Sequence, residues 1–192
     1  MTMIKAYTIV LVAYILAGIA AIGTGILFST QQPIVIVGLA DLVATIVIFI
    51  FSIITNNSSM YDPYWSVAPV PIALFWLAQP NSDGLANPRH VLIFVLLCIW
   101  AIRLTANWAI QWRGLSNEDW RYRDIHKLTG SFYWPVSFLG IHLMPTILVF
   151  LGSLALWPTL SDHATQFTWL DVVAALVIES AVLIEETADV QM

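Results

Sequence analysis

Apolar residues fall in six long runs along this chain, and short polar stretches separate them. A helix needs ~20 mostly apolar residues to cross the hydrocarbon core of a bilayer. The runs are Ala6–Leu27, Ile34–Ile54, Tyr61–Ala78, Val91–Trp112, Ser131–Leu156 and Trp169–Thr187. Because their lengths lie near the crossing length, the pattern predicts an all-α polytopic transmembrane bundle of about six spans. We expect residues 1–192 to form a single transmembrane domain.

The third run differs from the others because Pro69 and Pro71 interrupt it. Proline has no backbone N–H to donate, so a helix through this run must be kinked or broken. Irregular backbone at membrane depth is tolerated only where protein or a water-filled cavity covers it. Tyr61–Ala78 is therefore predicted to form the wall of a cavity.

Charge is sparse and unevenly distributed in this chain. Only 10% of the residues are charged and 59% are hydrophobic, whereas a soluble domain averages about 25% charged residues. The net charge of −5 argues against a nucleic-acid partner. Cys98 is the only cysteine, which excludes a disulfide within the chain.

The distribution of basic residues predicts an orientation. With six crossings, Lys5 and the loop 113–130 lie on one side of the membrane, and the Trp157–Thr168 connection, which has no Lys or Arg, lies on the other. Basic loops favour the cytoplasmic side. We therefore expect the N-terminus, the C-terminus and the loop 113–130 to be cytoplasmic.

Basic and aromatic side chains cluster after the fourth run. The set comprises Trp112, Arg113, Trp120, Arg121, Tyr122, Arg123 and Lys127. Guanidinium groups bind phosphates in a bidentate way, and the aromatic rings suit stacking on a flat base. The same residues also suit a positive-inside loop that touches anionic headgroups, although the interleaved Glu118, Asp119 and Asp124 argue against lipid binding alone.

Ionisable residues lie deep inside several of the apolar runs, including Glu179 in the last one. Trp100, Arg103 and Asn107 share one helical face by their spacing. Arg103 either finds a partner there or extends its side chain to the interface. Asp41 in the second run either faces protein, as acids at that depth normally do, or lies near the end of a tilted helix.

The last run ends in carboxylates at a place where a helix disfavours them. Glu185 and Asp189 are four residues apart, so they share one face near the C-terminus of the helix. The helix dipole prefers cations there. A ligand hydroxyl, an amide group, or the guanidinium group of Arg113 or Arg121 would satisfy them.

Asp62 opens the proline-broken run, and Tyr64, Trp65 and Ser66 follow it closely. An acid in an aromatic, poorly hydrated setting has a raised pKa and can donate a proton. Asp-Pro also starts turns, and Trp and Tyr are common at membrane interfaces, so a structural role stays open. His142 suits a packed core position, and the spacing of the histidines predicts no metal site.

Four segments resemble a known family. They are DPYWSVAP from Asp62, W-x-x-R-L from Trp100, R-G-x-x-x-E-D-W-R-Y from Arg113 and E-x-x-A-D-x-Q from Glu185. These segments, in this order, resemble bacterial membrane proteins grouped with the steroid 5-alpha-reductases. The resemblance extends from about Tyr61 to Gln191. The resemblance implies a steroid 5-alpha-reductase-like fold and a reductase that uses NADPH to saturate the carbon–carbon double bond of a lipophilic enone.

The resemblance also implies roles for single residues. Asp62 lies about where the family has the acid that polarises the substrate carbonyl. Trp100 lies about where the family has a tyrosine, and an indole can donate a hydrogen bond but does not act as a phenol does. Arg103 and Arg113 fall near arginines of the cofactor cavity, and Glu185 and Asp189 match a polar pair that contacts the cofactor.

Combined with the local patterns, these implied roles define three predicted sets. The catalytic set is Asp62 and Trp100. The cofactor-binding set is Arg103, Asn107, Arg113, Arg121, Tyr122, Glu185 and Asp189. The substrate-lining set is Tyr64, Trp65 and Ser66. We expect NADP(H), a lipophilic small molecule and membrane lipids as ligands.

The family continues past the point where this sequence stops, with a cytoplasmic stretch that closes the nucleotide site. We therefore expect a longer chain, a second chain that completes the cofactor site, or a protein without activity. Two other functions stay open beside the reductase. One is a non-catalytic membrane fragment or assembly subunit, and the other is a methyltransferase of the isoprenylcysteine type that uses S-adenosylmethionine.

Overall fold

The computed structural model describes residues 2–162 and 166–191, with side chains as far as Asp189 at the C-terminal end. The described residues form helices and turns, with no strand among them. The α-helices are α1 (Met3–Leu27), α2 (Pro33–Thr55), α3 (Tyr64–Val67), α4 (Pro69–Leu77), α5 (Pro88–Gln111), α6 (Trp120–Thr129), α7 (Tyr133–Ser137), α8 (Met144–Ser153), α9 (Trp157–Leu160) and α10 (Trp169–Gln191). Short 3₁₀ helices comprise Ser58–Met60, Gly84–Ala86, Gly130–Phe132 and Leu154–Leu156, and Phe138–Leu143 is a π-helix.

Four helical stretches among the described residues are long and apolar enough to cross a membrane. They are α1, α2, α5 and the helical run Trp120–Leu160. The all-helical class predicted from the sequence is confirmed, and these stretches are the reason to treat the chain as a membrane protein. The count of six spans and the orientation of the termini stay predictions.

Two predicted spans, Tyr61–Ala78 and the last run, are not among these four stretches. Tyr61–Ala78 contains α3 and α4, and the second of these begins at Pro69. The predicted break at the prolines is therefore confirmed, and the nine residues of α4 are too few to cross a bilayer alone. The helix α10 is long, but it carries five carboxylates: Asp171, Glu179, Glu185, Glu186 and Asp189.

The connections predicted as loops contain helices of their own. The predicted loop 113–130 contains α6, which Asp119 caps by accepting the N–H of Arg121. An aspartate at this position satisfies one of the free N–H groups of the first turn, which is why a helix starts in a polar segment. The predicted Trp157–Thr168 connection contains α9, and residues 163–165 of it lie outside the described residues.

The chain divides into two compact units. The first unit comprises Met1–Trp65 with Trp108–Gly152, and the second comprises Ser66–Asn107 with Ser153–Met192. Each unit is described by itself below. The organisation of residues 1–192 as one domain stays a prediction.

Small side chains let α1 and α2 pack closely in the first unit. Ala6, Val10, Ala13 and Ala17 are buried and follow one face of α1. Within a bilayer, close packing of small residues replaces the hydrophobic effect as the force between helices. Asp41 of α2 faces protein, because the Tyr64 hydroxyl donates to its Oδ1 at 2.6 Å.

Polar side chains link α2 to the helical residues 133–152 inside the first unit. The hydroxyl groups of Thr45 and Thr146 lie 2.9 Å apart. His142 is fully buried, with Nδ1 3.0 Å from the carbonyl of Ser137 and Nε2 3.1 Å from the hydroxyl of Ser52. Because a carbonyl only accepts, Nδ1 carries the proton, and Nε2 faces the Ser52 hydroxyl, which also contacts the carbonyl of Ile48. The prediction that His142 is a packed core histidine is confirmed.

Candidate functional site

The segment that precedes Asp62 is fixed to the segment that precedes α6. The Asn57 amide donates to the carbonyls of Leu115 and Asn117, at 2.9 and 3.2 Å. The main-chain N–H of Ser58 donates to Oε1 of Glu118 at 2.7 Å. These bonds join residues about sixty positions apart in the chain and hold the two segments side by side.

The first turn of α6 presents Tyr122 toward the Asp62 segment. Asp119 caps the helix and also receives a bidentate ion pair from Arg121, with Nε 2.9 Å from Oδ1 and Nη2 3.0 Å from Oδ2. The hydrogen bonds from Arg121 lower the pKa of Asp119. An ionised aspartate at this end of a helix also interacts favourably with the dipole, so the start of α6 is well defined.

The Tyr122 hydroxyl donates to Oδ1 of Asp62 at 2.6 Å. Burial raises the pKa of Asp62 to about 7, although the Tyr122 hydrogen bond acts in the opposite direction. At that pKa the carboxyl group is protonated in a large fraction of molecules near neutral pH. In that form Asp62 can donate a hydrogen bond, which is the role that the sequence left open beside a structural one.

Asp62 and Tyr122 form the polar end of a cavity in the first unit with a volume of about 240 Å³. The cavity lining consists of Tyr61, Asp62, Trp65, Tyr122, Ile141, Pro145, Leu148 and Val149. No basic side chain is among these lining residues. The arrangement can accept a small apolar molecule that presents a hydrogen-bonding group to Asp62 and Tyr122.

A π-helix shapes one wall of this cavity. In Phe138–Leu143 the hydrogen bonds run five residues back, and the N–H of Met144 donates to the carbonyl of Leu139. Pro145 has no N–H to continue a regular α-helical pattern, and local widening of this kind often occurs next to proline. Ile141 lies in the widened turn and Pro145 just after it, and both line the cavity.

A buried threonine orients Tyr61, which also lines the cavity. The hydroxyl groups of Tyr61 and Thr146 lie 2.8 Å apart, and Thr146 also donates to the carbonyl of His142 at 2.9 Å. Both side chains are buried. Sequence reasoning named the Tyr61–Ala78 segment as a cavity wall without singling out Tyr61, and it missed the π-helical wall. The proline inside an apolar run at Pro145 was the available signal for the wall.

The predicted substrate-lining residues have different surroundings. Trp65 lines the cavity, as the prediction requires. Tyr64 is buried with its hydroxyl on Asp41. Ser66 belongs to the second unit, where its hydroxyl lies 3.0 Å from that of Thr105. A substrate contact is untested for all three residues and stays a prediction.

Four of the predicted cofactor residues come together in the second unit. Arg103 forms ion pairs with Glu185, at 2.5 Å, and with Asp189. The Asn107 amide donates to Oδ2 of Asp189 at 2.9 Å. We call Arg103, Asn107, Glu185 and Asp189 the acidic cluster. The sequence named Arg113 or Arg121 as the guanidinium group for the two carboxylates, and this was wrong: Arg103 pairs with them, whereas Arg121 pairs with Asp119. The Asn107 amide fits the other alternative, and Arg103 has partners rather than extending alone to an interface.

The remaining predicted residues are placed as follows. Trp100 lies half-buried on α5 in the second unit. Arg113 is exposed just after α5 and forms no ion pair with a carboxylate among the described residues. Trp112, expected to stack on a base, is buried against Tyr7 and Trp108 with ring-centroid distances of 5.3 and 4.9 Å. Trp112 is therefore occupied by packing.

Metal chemistry has no visible support in the described part of the chain. No group of three or more His, Cys, Asp or Glu side chains is placed to hold a metal ion within residues 2–162 and 166–191. The two arrangements that stand out are instead an acid–phenol pair at an apolar cavity and, in the other unit, a cluster of one cation with two carboxylates.

The fold and these arrangements define the class of an all-helical membrane protein with a partly buried acid at an apolar cavity. Residues 48–192 match the profile of the family described as protein of unknown function DUF1295, and the chain belongs to this family. The predicted membership in a membrane-protein family of unknown function is thereby confirmed at the level of that family.

Among curated proteins the chain is similar to Uncharacterized protein C594.04c of Schizosaccharomyces pombe. The two are 24% identical over 169 residues, which cover 85% of this chain and 48% of the relative. The chain therefore spans about half the length of the curated relative that it matches. No solved structure matches the chain significantly.

Proposed function

We propose that this protein is a membrane oxidoreductase that reduces the carbon–carbon double bond of a lipophilic enone and takes the hydride from NADPH. The observation that carries the proposal is Asp62, a carboxyl group with a raised pKa at the polar end of an apolar cavity. An enone reductase must supply a hydrogen-bond donor to the carbonyl oxygen of its substrate. The protonated carboxyl group of Asp62 can be that donor.

The carbonyl oxygen of an enone gains negative charge when its β-carbon accepts a hydride. A donor placed at that oxygen stabilises the developing charge most when water is excluded. A general acid with a pKa close to the working pH is the most effective, and the pKa of Asp62, about 7, meets that condition. Asp62 thus suits the role of polarising acid.

The cavity supports a lipophilic substrate. Seven of its eight lining side chains are apolar or aromatic, Asp62 is the exception, and the Tyr122 hydroxyl is bonded to Asp62. Leu148 is 58% exposed and belongs to the Trp120–Leu160 stretch that is apolar enough to cross a membrane. A molecule dissolved in the bilayer would therefore reach the cavity from the lipid side.

Family membership supports the proposal less directly. The chain belongs to the DUF1295 family, and its DPYWSVAP, R-G-x-x-x-E-D-W-R-Y and E-x-x-A-D-x-Q segments resemble membrane proteins grouped with the steroid 5-alpha-reductases. Since the chain spans 48% of the relative from Schizosaccharomyces pombe, the activity proposed here is that of the whole protein.

The charge and the polar groups of the acidic cluster show which parts of a nucleotide it could bind. One guanidinium group faces two carboxylates there, so the cluster carries a net negative charge and does not fit a phosphate. Its carboxylate oxygens and the Asn107 amide do fit the hydroxyl and carboxamide groups of a nicotinamide nucleotide. When bound, NADPH supplies the hydride, and Asn107, Glu185 and Asp189 would hold its uncharged polar groups.

The proposal is tested with membranes that contain the protein, NADPH and dec-3-en-2-one, a simple lipophilic enone. We expect decan-2-one to form, identified by mass spectrometry, together with an equal loss of NADPH. Decan-2-one itself is the matched control substrate, because it has the carbonyl but no double bond to reduce. Formation of no more decan-2-one than in membranes without the protein would refute the reductase.

A second measurement separates the reductase from its rivals without relying on activity. Arg113, Arg121, Arg123 and Lys127 are exposed, so trypsin cleaves this segment unless a ligand protects it. NADPH should slow the cleavage and S-adenosylmethionine should not. Protection by S-adenosylmethionine alone would favour the methyltransferase, and protection by neither would favour a non-catalytic subunit.

A further inference from the structure

One face of α6 points away from the rest of the first unit. Each residue of an α-helix turns the chain by about 100°, so the residues of α6 divide into two faces. Tyr122, Ile125, His126 and Thr129 are half-buried on one face. The other residues of the helix are exposed and share the opposite face, which we call the outer face: Trp120, Arg121, Arg123, Asp124, Lys127 and Leu128.

Contacts on the half-buried face hold α6 in position. The Tyr122 hydroxyl is bonded to Asp62. The His126 ring stacks on the Tyr133 ring, with the ring centroids 4.1 Å apart and the planes 8° from parallel. Both contacts join α6 to the first unit, so the outer face has a defined orientation, on the side of the helix opposite Tyr122.

Large apolar side chains lie among the charges of the outer face. Trp120 is 64% exposed and Leu128 is 85% exposed, and they lie within about 80° of each other around the helix axis. Phe132, four residues after Leu128, is 71% exposed. A polar helix that presents Trp and Leu beside Lys and Arg is typical of helices that lie in the interface of a bilayer.

The place of α6 in the chain agrees with an interfacial location. It begins the Trp120–Leu160 stretch, which is long and apolar enough to cross a membrane. The polar helix therefore lies where that stretch meets water. Tryptophan is enriched at this depth, which suits Trp120 in the first turn.

The acids of this segment are already engaged by the protein. In the sequence, the interleaved Glu118, Asp119 and Asp124 argue against lipid binding alone. In the structure, Glu118 accepts a main-chain N–H at 2.7 Å, Asp119 caps α6, and Asp124 pairs with Lys127 at 2.8 Å. The outer face itself carries three basic residues and one acidic residue, so its net charge is positive.

We propose that the outer face of α6 binds the surface of an anionic bilayer. Trp120 and Leu128 insert between the lipid headgroups, and Arg123 and Lys127 contact the lipid phosphates. Guanidinium groups bind phosphates in a bidentate way, and Arg123 forms no ion pair with a carboxylate in the described part of the chain. Apolar insertion and attraction to anionic lipids add to one another in such helices.

Nanodiscs of two compositions test this contact. One contains phosphatidylcholine alone and the other contains phosphatidylcholine with phosphatidylglycerol, both brominated in the acyl chains. A bimane label is attached to Leu128→Cys in a Cys98→Ala background, and nearby bromine quenches its fluorescence. We expect quenching to be at least about 5-fold stronger with phosphatidylglycerol, because one basic residue near an anionic surface contributes roughly that factor. Equal quenching in the two lipids, or none in either, would overturn the proposal.

Control variants show whether the outer face is responsible. Ser116→Cys is the matched label position, since Ser116 is also exposed but lies before α6, and its label should not be quenched in either lipid. Replacing both Arg123 and Lys127 by Gln should abolish the preference for phosphatidylglycerol. Lys5→Gln removes an exposed cation from α1 and should keep the preference. Loss of the preference in Lys5→Gln, or its persistence in the double variant, contradicts the assignment to α6.

The wild-type protein provides a check that needs no variant. Lys5 and Lys127 are the two lysines of the chain, so their acetylation by an N-hydroxysuccinimide ester can be compared by mass spectrometry. Phosphatidylglycerol should slow the reaction of Lys127 at least about 5-fold relative to that of Lys5. Equal slowing of both would show only a general effect of surface charge and would overturn the proposal. Slowing of Lys127 by NADPH in phosphatidylcholine alone, with no effect of phosphatidylglycerol, would assign the face to the nucleotide instead.

Discussion

The Ser59 hydroxyl accepts the main-chain N–H of Asp119 at 2.9 Å, and this bond ties the start of α6 to the segment that carries Asp62. Ser59 also hydrogen-bonds to Asp62 through its side chain. One small side chain therefore contacts both the acid of the cavity and the cap of the helix that supplies its phenolic partner. The geometry of the Asp62–Tyr122 pair depends on where α6 begins.

Replacing the cap of α6 should loosen the position of Tyr122. Asp119→Ala removes the N-cap hydrogen bond to Arg121 and the bidentate ion pair, and loss of an N-cap typically costs about 1 kcal/mol. Amide hydrogen exchange of Arg121, Tyr122 and Arg123 should become faster. Asp124→Ala is the matched control, since it removes only an exposed pair with Lys127, and it should leave these amides unchanged. Equal exchange in both variants would show that the cap does not define the helix start.

Removing the acid of the cavity should abolish most turnover while the protein still folds. Asp62→Asn keeps the size of the side chain but loses the acidic proton, and general acids typically contribute about 10²–10⁴-fold to a rate. We expect enone turnover to fall at least about 100-fold, with expression and NADPH binding intact. Wild-type turnover in this variant would remove Asp62 from the mechanism.

The chain offers a close control for this experiment. Asp41 receives a hydrogen bond from Tyr64 at 2.6 Å, the same distance as between Asp62 and Tyr122. Asp41 does not line the cavity. Asp41→Asn should therefore retain turnover, and a loss as large as that of Asp62→Asn would mean that both variants act through the fold.

The raised pKa of Asp62 predicts how stability changes with pH. In the unfolded chain this carboxyl has an ordinary pKa near 3.8, whereas in the folded protein it is about 7. Between these values the folded state binds one proton more than the unfolded state, so the free energy of unfolding falls as pH rises through this window. Above pH 7 the contribution of Asp62 no longer changes.

Thermal unfolding at pH 5 and pH 8 tests this prediction. The wild-type protein should lose more stability between the two values than Asp62→Asn does, and the difference should be on the order of a few kcal/mol. Identical losses in the two proteins would mean that Asp62 titrates in its ordinary range.

The two carboxylates of the acidic cluster should differ in their contribution to stability. The Asp189 side chain is 22% exposed and binds both Arg103 and Asn107, whereas the Glu185 side chain is 45% exposed and binds Arg103. Exposed ion pairs contribute about 0–1 kcal/mol. Asp189→Asn should therefore lower the melting temperature more than Glu185→Gln. The reverse order would show that solvent exposure does not determine the strength of these pairs.

The sequence predicted those features that depend on local pattern. Apolar length indicated the helices α1, α2 and α5, and Pro69 indicated the break in Tyr61–Ala78. The spacing of Glu185 and Asp189 indicated that these carboxylates need a donor or a cation. These conclusions succeed because each depends on neighbours within a turn or two of helix.

The partners of these residues could not be predicted, because they lie far away in the chain. Tyr122 is 60 positions from Asp62, and Asp189 is 86 positions from Arg103. No periodicity relates residues at such distances. The sequence grouped Tyr122 with the cofactor residues because its ring could stack on a base, and that role stays a prediction. The bond from its hydroxyl to Asp62 was not indicated by the sequence. The start of α6 inside a polar loop was also missed, since capping by Asp119 outweighs the low apolar content of that segment.

The π-helix at Phe138–Leu143 makes the length of this segment as important as its composition. A π-turn contains one more residue than a regular turn of α-helix, and each residue of an α-helix turns the chain by about 100°. If this segment became a regular α-helix without losing a residue, every side chain after it would rotate by about 100° around the helix axis. Pro145, Leu148 and Val149 would then leave the cavity together. Substitutions that favour a regular α-helix at Phe138–Leu143 should therefore weaken ligand binding, whereas a deletion of Gly140 that removes the π-turn should keep these side chains on the cavity.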